Sequence, residues 1–224
     1  MHKPDGLLDP ITTVMLWIIT GFILVICVLK LRKTFEEEES EKLIPYIGVL
    51  AATIFAFQFV NYPVPGGTSG HLVGGTLVGV ILGPWAAVVV IFMVIIVQSL
   101  FGDGGITAIG PNTFNMGVIC GIGGFYIVKI VMLILNKTNL KKETKVPIAT
   151  GIGSYIAIVL AAFACGVEIG LGGVIPMTII VPAMVFWHLF IGIGEAIISA
   201  LIVLFVYKAK PELITTEKLL GVAE

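Results

Sequence analysis

A chain of 224 residues that is 58% hydrophobic and only 12% charged, with a mean hydropathy of +1.09, carries more apolar surface than a water-soluble domain of this size needs. Its net charge of -1, with no basic stripe interleaved with aromatics, excludes a nucleic-acid-binding surface. The three cysteines, Cys27, Cys120 and Cys165, lie singly in apolar segments without C-x-x-C spacing, which argues for packing rather than a zinc site or a disulfide framework.

Residues 1–10 form a short polar leader to the first apolar run. They contain one lysine and no apolar core, and no small-residue cleavage site follows the stretch from Ile11 to Leu29, so a signal peptide is not expected. Met1 is expected to remain the first residue, because removal of an initiator methionine requires a small second residue and His2 is not small. Asp5-Gly6 reads as a turn, and Asp9-Pro10 as an N-cap followed by proline at the first helical position.

Seven membrane-spanning helices follow in one all-α domain covering the whole chain, at about 11–30, 44–60, 71–83, 85–101, 114–136, 147–167 and 181–207. Residues 71–101 would make a single helix of about 47 Å at 1.5 Å per residue. Gly83-Pro84 is the natural place for it to break. Lys30, Arg32, Lys33 and Lys42, then Lys137, Lys141, Lys142 and Lys145, then Lys208, Lys210 and Lys218 all fall on one side of seven spans. The excess of positive charge makes that side cytoplasmic, which puts the N-terminus outside and the C-terminus inside. The acidic run Glu36 to Glu39, with Glu41, reads as a solvated inner loop.

The outer side carries three segments rich in Gly and Pro: 61–70, 102–115 and 166–176. Irregular backbone at membrane depth is tolerated where it is buried in protein or lines a cavity, so these segments are expected to build one outward-opening pocket. Two of the three histidines, His2 and His71, belong to that side. A free Met1 amine, the His2 main-chain nitrogen once deprotonated and the His2 imidazole Nδ1 close one five-membered and one six-membered chelate ring. His71 offers a fourth position in the plane. Four planar nitrogens suit Ni(II), Cu(II) or low-spin Co(II), not Mg(II) or Ca(II).

The alternative is that Met1-His2 is an arbitrary start and His71 an interfacial residue. The two prolines and three glycines immediately before His71 favour the chelate, because a simple connection needs no such backbone. Asp103, in Gly102-Asp103-Gly104-Gly105, either orients a ligand imidazole from behind or only stabilises its own turn; Ser69 and Asn61 are further candidates to support the site. His188 and Glu195, seven residues apart on one helical face, read as a buried polar link between helices in preference to part of a transport path.

These residues together resemble the CbiM/NikM family, the cobalt and nickel substrate-binding membrane components of energy-coupling-factor transporters. The resemblance covers nearly the whole chain. It rests on Met1-His2 with Pro4-Asp5-Gly6, the run Pro63 to His71, Gly83-Pro84-Trp85-Ala86, Phe101 to Gly105, Phe114 to Gly117, and His188 with Gly192 to Glu195. It implies a seven-span fold in a prokaryotic cell membrane, with Ni(II) or Co(II) as transported substrate, held by the Met1 amine, both nitrogens of His2 and His71. It also implies partners: cytoplasmic ATPase subunits, a transmembrane coupling protein and, in many members, a small extra membrane subunit. One departure is Lys3, where the family commonly has isoleucine. A cation there is expected to lower local metal affinity or to point to solvent. The Pro4-Asp5 form favours nickel slightly.

Two rivals are set beside this reading. Gly67-Thr68-Ser69-Gly70 matches G-x-S-G, and Ser69 with His188 would be the dyad of a rhomboid-like intramembrane serine protease; that reading gives Met1-His2 and His71 no role. A channel or autonomous secondary transporter would need more ionisable residues than Lys129, Glu168, His188 and Glu195 along its spans. No G-x-x-x-x-G-K-[ST] loop is present, so ATP-driven uptake would need partner subunits, and the chain itself is expected not to be an enzyme.

Overall fold

The computed structural model describes residues 1–37, 40–65 and 68–221. Seven apolar helices account for most of them: α1 (Pro10–Glu37), α2 (Ser40–Phe59), α3 (Gly75–Leu82), α4 (Pro84–Leu100), α5 (Ile109–Leu135), α6 (Lys142–Leu171) and α7 (Met177–Ala209). The expected number of spans is therefore observed, and the protein is a multi-pass membrane protein. The large apolar residues left on the outside of the bundle, among them Ile18, Phe22, Phe186, Phe190 and Phe205, are what a hydrocarbon solvent requires. Gly66 and Gly67, and the side chains of the acidic run Glu36 to Glu39 with Glu41, lie outside the described residues.

Several boundaries differ from expectation, each for a local reason. Helices α2, α6 and α7 contain Pro45, Pro147 and Pro182 inside their first two turns, where a proline forfeits one backbone hydrogen bond without ending the helix. Helix α5 begins at Ile109, five residues before the expected start, and passes through a wider π-type stretch over Phe114–Gly123. In that stretch the Cys120 carbonyl accepts a hydrogen bond from the Thr76 hydroxyl of α3 at 2.8 Å. Helices α6 and α7 pack antiparallel along their length through small residues, Gly151 against Ala196 and Ala200, Gly166 against Val181, and Gly170 against Met177.

The third crossing is the one that positions the site. The Phe55 and Phe101 rings are 6.3 Å apart, so the C-terminal ends of α2 and α4 lie on one side and the chain from Val60 to Gly83 must return across the bundle. It does so in three pieces. Two short antiparallel strands, β1 (Tyr62–Val64) and β2 (Thr68–Gly70), form a hairpin in which Pro63 faces Ser69. Residues 71–74 form no regular structure and end in Gly74 at φ 74, and only then does α3 begin, four residues later than expected. Both Glu195 oxygens, from α7, accept backbone N–H groups at 2.8 Å, one from Val73 and one from Gly74. Those donors would otherwise be orphaned at the helix start. Gly83, at φ 97, then makes the expected break, with Pro84 opening α4.

Candidate metal site

The site is built by a strap, residues 1–9, laid over the hairpin and over the loop between α4 and α5. Asp5 holds the strap down: its carboxylate accepts from Ile106 N (3.2 Å), Thr107 N (2.8 Å) and the Thr107 hydroxyl. A turn follows at Gly6, and Asp9 caps α1 through Ile11 N (2.9 Å) and Thr12 N (3.0 Å), both as the sequence indicates. Strap and loop approach so closely that a Cβ on Gly105 would lie 2.3 Å from Asp5 N. The outward-opening pocket expected from the loops is instead closed over by the strap, and Met1, His2 and His71 are 0%, 3% and 1% exposed.

Ser69, on β2, meets the first two nitrogens of the chain. The Met1 amine donates to the Ser69 carbonyl and lies 3.4 Å from its hydroxyl, and His2 N donates to the same hydroxyl at 3.2 Å. Burial lowers the pKa of the Met1 amine to about 5, so near neutral pH it is an uncharged amine with a free lone pair. Burial lowers the His2 imidazole as well. His71 follows β2 directly. Its Nδ1 is 2.8 Å from the Leu72 carbonyl and so carries the proton, which leaves Nε2 as a buried acceptor without a hydrogen-bond partner among the described residues.

The His2 and His71 rings stack at 4.3 Å between centroids with 19° between planes. Stacked imidazoles direct their lone pairs into separate planes, so joint ligation of one ion requires one ring to turn. The ring to turn is His2, because the proton on His71 Nδ1 is already committed. At present His2 Nδ1 lies 3.0 Å from Asp103 Oδ1. Asp103 thus meets the nitrogen expected to chelate, and its other oxygen accepts from Asn61 Nδ2 at 3.0 Å, tying the α4–α5 loop to the base of the hairpin.

Among the described residues no three His, Cys, Asp or Glu side chains gather as a metal cage. The donors that do gather are two imidazoles and two main-chain nitrogens. No Ser69–His188 hydrogen bond is present among the described residues: Ser69 is occupied by the strap, and His188 Nδ1 bonds the Met184 carbonyl one turn back in its own helix. Of the expected His188–Glu195 link only Glu195 connects separate elements; His188 bonds within its own helix through Nδ1, and its Nε2 is buried without a hydrogen-bond partner among the described residues. The expectation that Lys3 points to solvent fails. It is fully buried, and its ammonium pairs with Glu168 of α6. That pairing was illegible in sequence because the partners are 165 residues apart.

The pattern described as "CbiM: Cobalt uptake substrate-specific transmembrane region" matches residues 2–213. A putative metal transport protein of Methanocaldococcus jannaschii is 40% identical, over 97% of this chain and 96% of its own. A putative fused nickel transport protein of Archaeoglobus fulgidus is 36% identical over 96% of this chain and 68% of its own. The fold also matches a crystal structure of a truncated transition metal transporter, with a TM-score of 0.83 and 33% identity over 93% of this chain and 99% of that one. The chain therefore belongs to the CbiM family of substrate-specific transmembrane regions.

Proposed function

We propose that this protein is the substrate-capturing membrane component of an ATP-driven importer for Ni(II) or Co(II), with separate partner subunits that hydrolyse ATP and couple it to transport. Membership of the family supports a transport role, and the names of the relatives point to nickel and cobalt as the ions. The observation that carries the reading is the convergence on Ser69 and His71 of two main-chain nitrogens and one imidazole from a strap that has no helix or strand of its own.

In this reading the Met1 amine, the His2 main-chain nitrogen, His2 Nδ1 and His71 Nε2 take the four planar positions. That donor set favours nickel or cobalt over hard cations. Loss of the His2 N–H on ligation exchanges its bond to Ser69 for a bond to the ion. Asp103, released from the imidazole, stays beside the site as a negative charge and through Asn61 keeps hairpin and loop together. The strap side faces outward and the lysine-rich side faces the cytoplasm, so the ion is captured from outside.

The test is anaerobic titration of the purified protein with Ni(II) and Co(II), read by visible absorption and metal analysis, with the N-terminal residue verified by intact mass. One alanine added before Met1 converts the amine into an amide and is expected to abolish tight binding while the protein stays folded. Unchanged affinity in that variant would falsify the chelate.

A further inference from the structure

Lys3 brings a full charge into the most enclosed part of the strap. Its Nζ pairs with Glu168 Oε2 at the end of α6 and donates to the Pro111 carbonyl of α5 at 3.2 Å. Asn115 Nδ2, also from α5, donates to the same Glu168 oxygen at 2.9 Å. The Lys3 backbone is held as tightly. Its N–H donates to Asn112 Oδ1 at 3.0 Å, and its carbonyl accepts from Gly105 N at 2.9 Å and Asn112 Nδ2 at 3.3 Å.

We infer that the Lys3–Glu168 pair is a buried latch that sets the register of the strap and so positions Met1 and His2 for the metal; Lys3 and Glu168 are positioning residues, and the inference rests on the chelate reading. Residues 1–4 have no helix or strand of their own to fix where they lie. Neighbouring Cα atoms are about 3.8 Å apart, so a slip of one residue at Lys3 would take both chelating residues out of place. A buried ion pair suits this task. It adds little stability over apolar packing, but it tolerates only one register, because any other strands an unpaired charge in the interior.

Charge balance gives the pair a second role. A divalent ion, the deprotonated His2 nitrogen and the Asp103 carboxylate sum to zero. Lys3 alone would add a cation directly beside the substrate, and Glu168 cancels it. The charge of Lys3 is therefore compensated by an acid on α6.

The test uses the full chain in detergent with Lys3→Met, Glu168→Gln and the double variant. Two quantities are read: Ni(II) affinity by titration, and the rate at which the Met1 amine is acylated without metal, followed by mass spectrometry. Each single variant is expected to lose at least about tenfold in affinity and to acylate faster, and the double variant to recover most of both. Singles that match the wild type in both readings, or a double variant as impaired as the two singles summed, overturn the latch. Where Lys3→Met does not yield folded protein, Lys3→Gln retains a donor and takes its place. Acylation reads the latch without any metal, so a wild type that binds neither Ni(II) nor Co(II) overturns the chelate while the latch is still decided.

Discussion

His71 has one ring nitrogen committed to the Leu72 carbonyl and the other buried with nothing to bond, an arrangement that costs free energy unless an acceptor is wanted there. In the proposed chelate, replacing it with alanine removes a ligand rather than a support. His71→Ala is therefore expected to weaken Ni(II) binding by more than the roughly hundredfold that loss of a supporting residue costs, with the melting temperature little changed. Near-normal titration of that variant would refute the assignment. The Met1 amine makes a separate prediction through pH. Its pKa falls from 8.0 unfolded to about 5 when docked. The open strap therefore binds more protons between those values, and docking stability is fully present above pH 8 and is lost as pH falls toward 5, at about 1.4 kcal/mol per unit. The Gly105 amide, which donates to Lys3 O, reports this directly: its protection against hydrogen exchange, corrected for intrinsic rate, should fall across that window. Flat protection would show that the amine does not dock as a neutral group.

At the scale of elements, the hairpin and the short helix α3 act as one carrier for His71. Helix α3 has eight residues, about 12 Å of rise, too little to cross a bilayer alone. The hairpin and residues 71–74 supply the remaining depth and bring irregular backbone into the bundle, where Glu195 satisfies it. The strap meets this carrier from above, and Gly105 is where strap and loop touch. Gly105→Ala should displace Asp5 at a cost of about 1–3 kcal/mol, roughly five- to a hundredfold in Ni(II) affinity, while the helical circular dichroism is retained. Wild-type affinity in this variant would mean that the strap can dock without that close approach. The apolar span, the Gly83-Pro84 break and the Asp9 cap were legible in sequence because each depends on neighbours a few residues away. The hairpin was not: two three-residue strands, one of them holding Pro63, carry no alternation long enough to read.

For the whole molecule, the strap, the hairpin, the α4–α5 loop and the α6–α7 turn share one face. At the other, the tail returns to the bundle, with Thr215 N donating to Ile81 O at 2.9 Å and Asn136 Nδ2 to Gly221 O at 3.3 Å. Lys137, Lys141, Lys208, Lys210 and Lys218 fall on that second face, which is the charge asymmetry a cytoplasmic side shows. A cysteine at Ile106, an exposed loop position, should react in intact cells with a membrane-impermeant thiol reagent, and one at Lys210 only after permeabilisation. The native Cys27, Cys120 and Cys165 are buried and give a low background. The reverse pattern would invert the proposed orientation.

Composition and periodicity by themselves determined the solvent, the number of crossings and the charge asymmetry, because hydropathy sums over local runs and needs no knowledge of contacts. That the Met1-His2 end and His71 belong to one place was also readable, since their surroundings match a known pattern, and the two rings do meet. Only the tertiary structure decided that the strap closes the pocket, that Asp103 meets His2 Nδ1, and that Lys3 finds Glu168 across 165 residues. Those are choices among burial partners. A sequence records which groups must be satisfied, but the packing of the helices determines which groups are near enough to satisfy them.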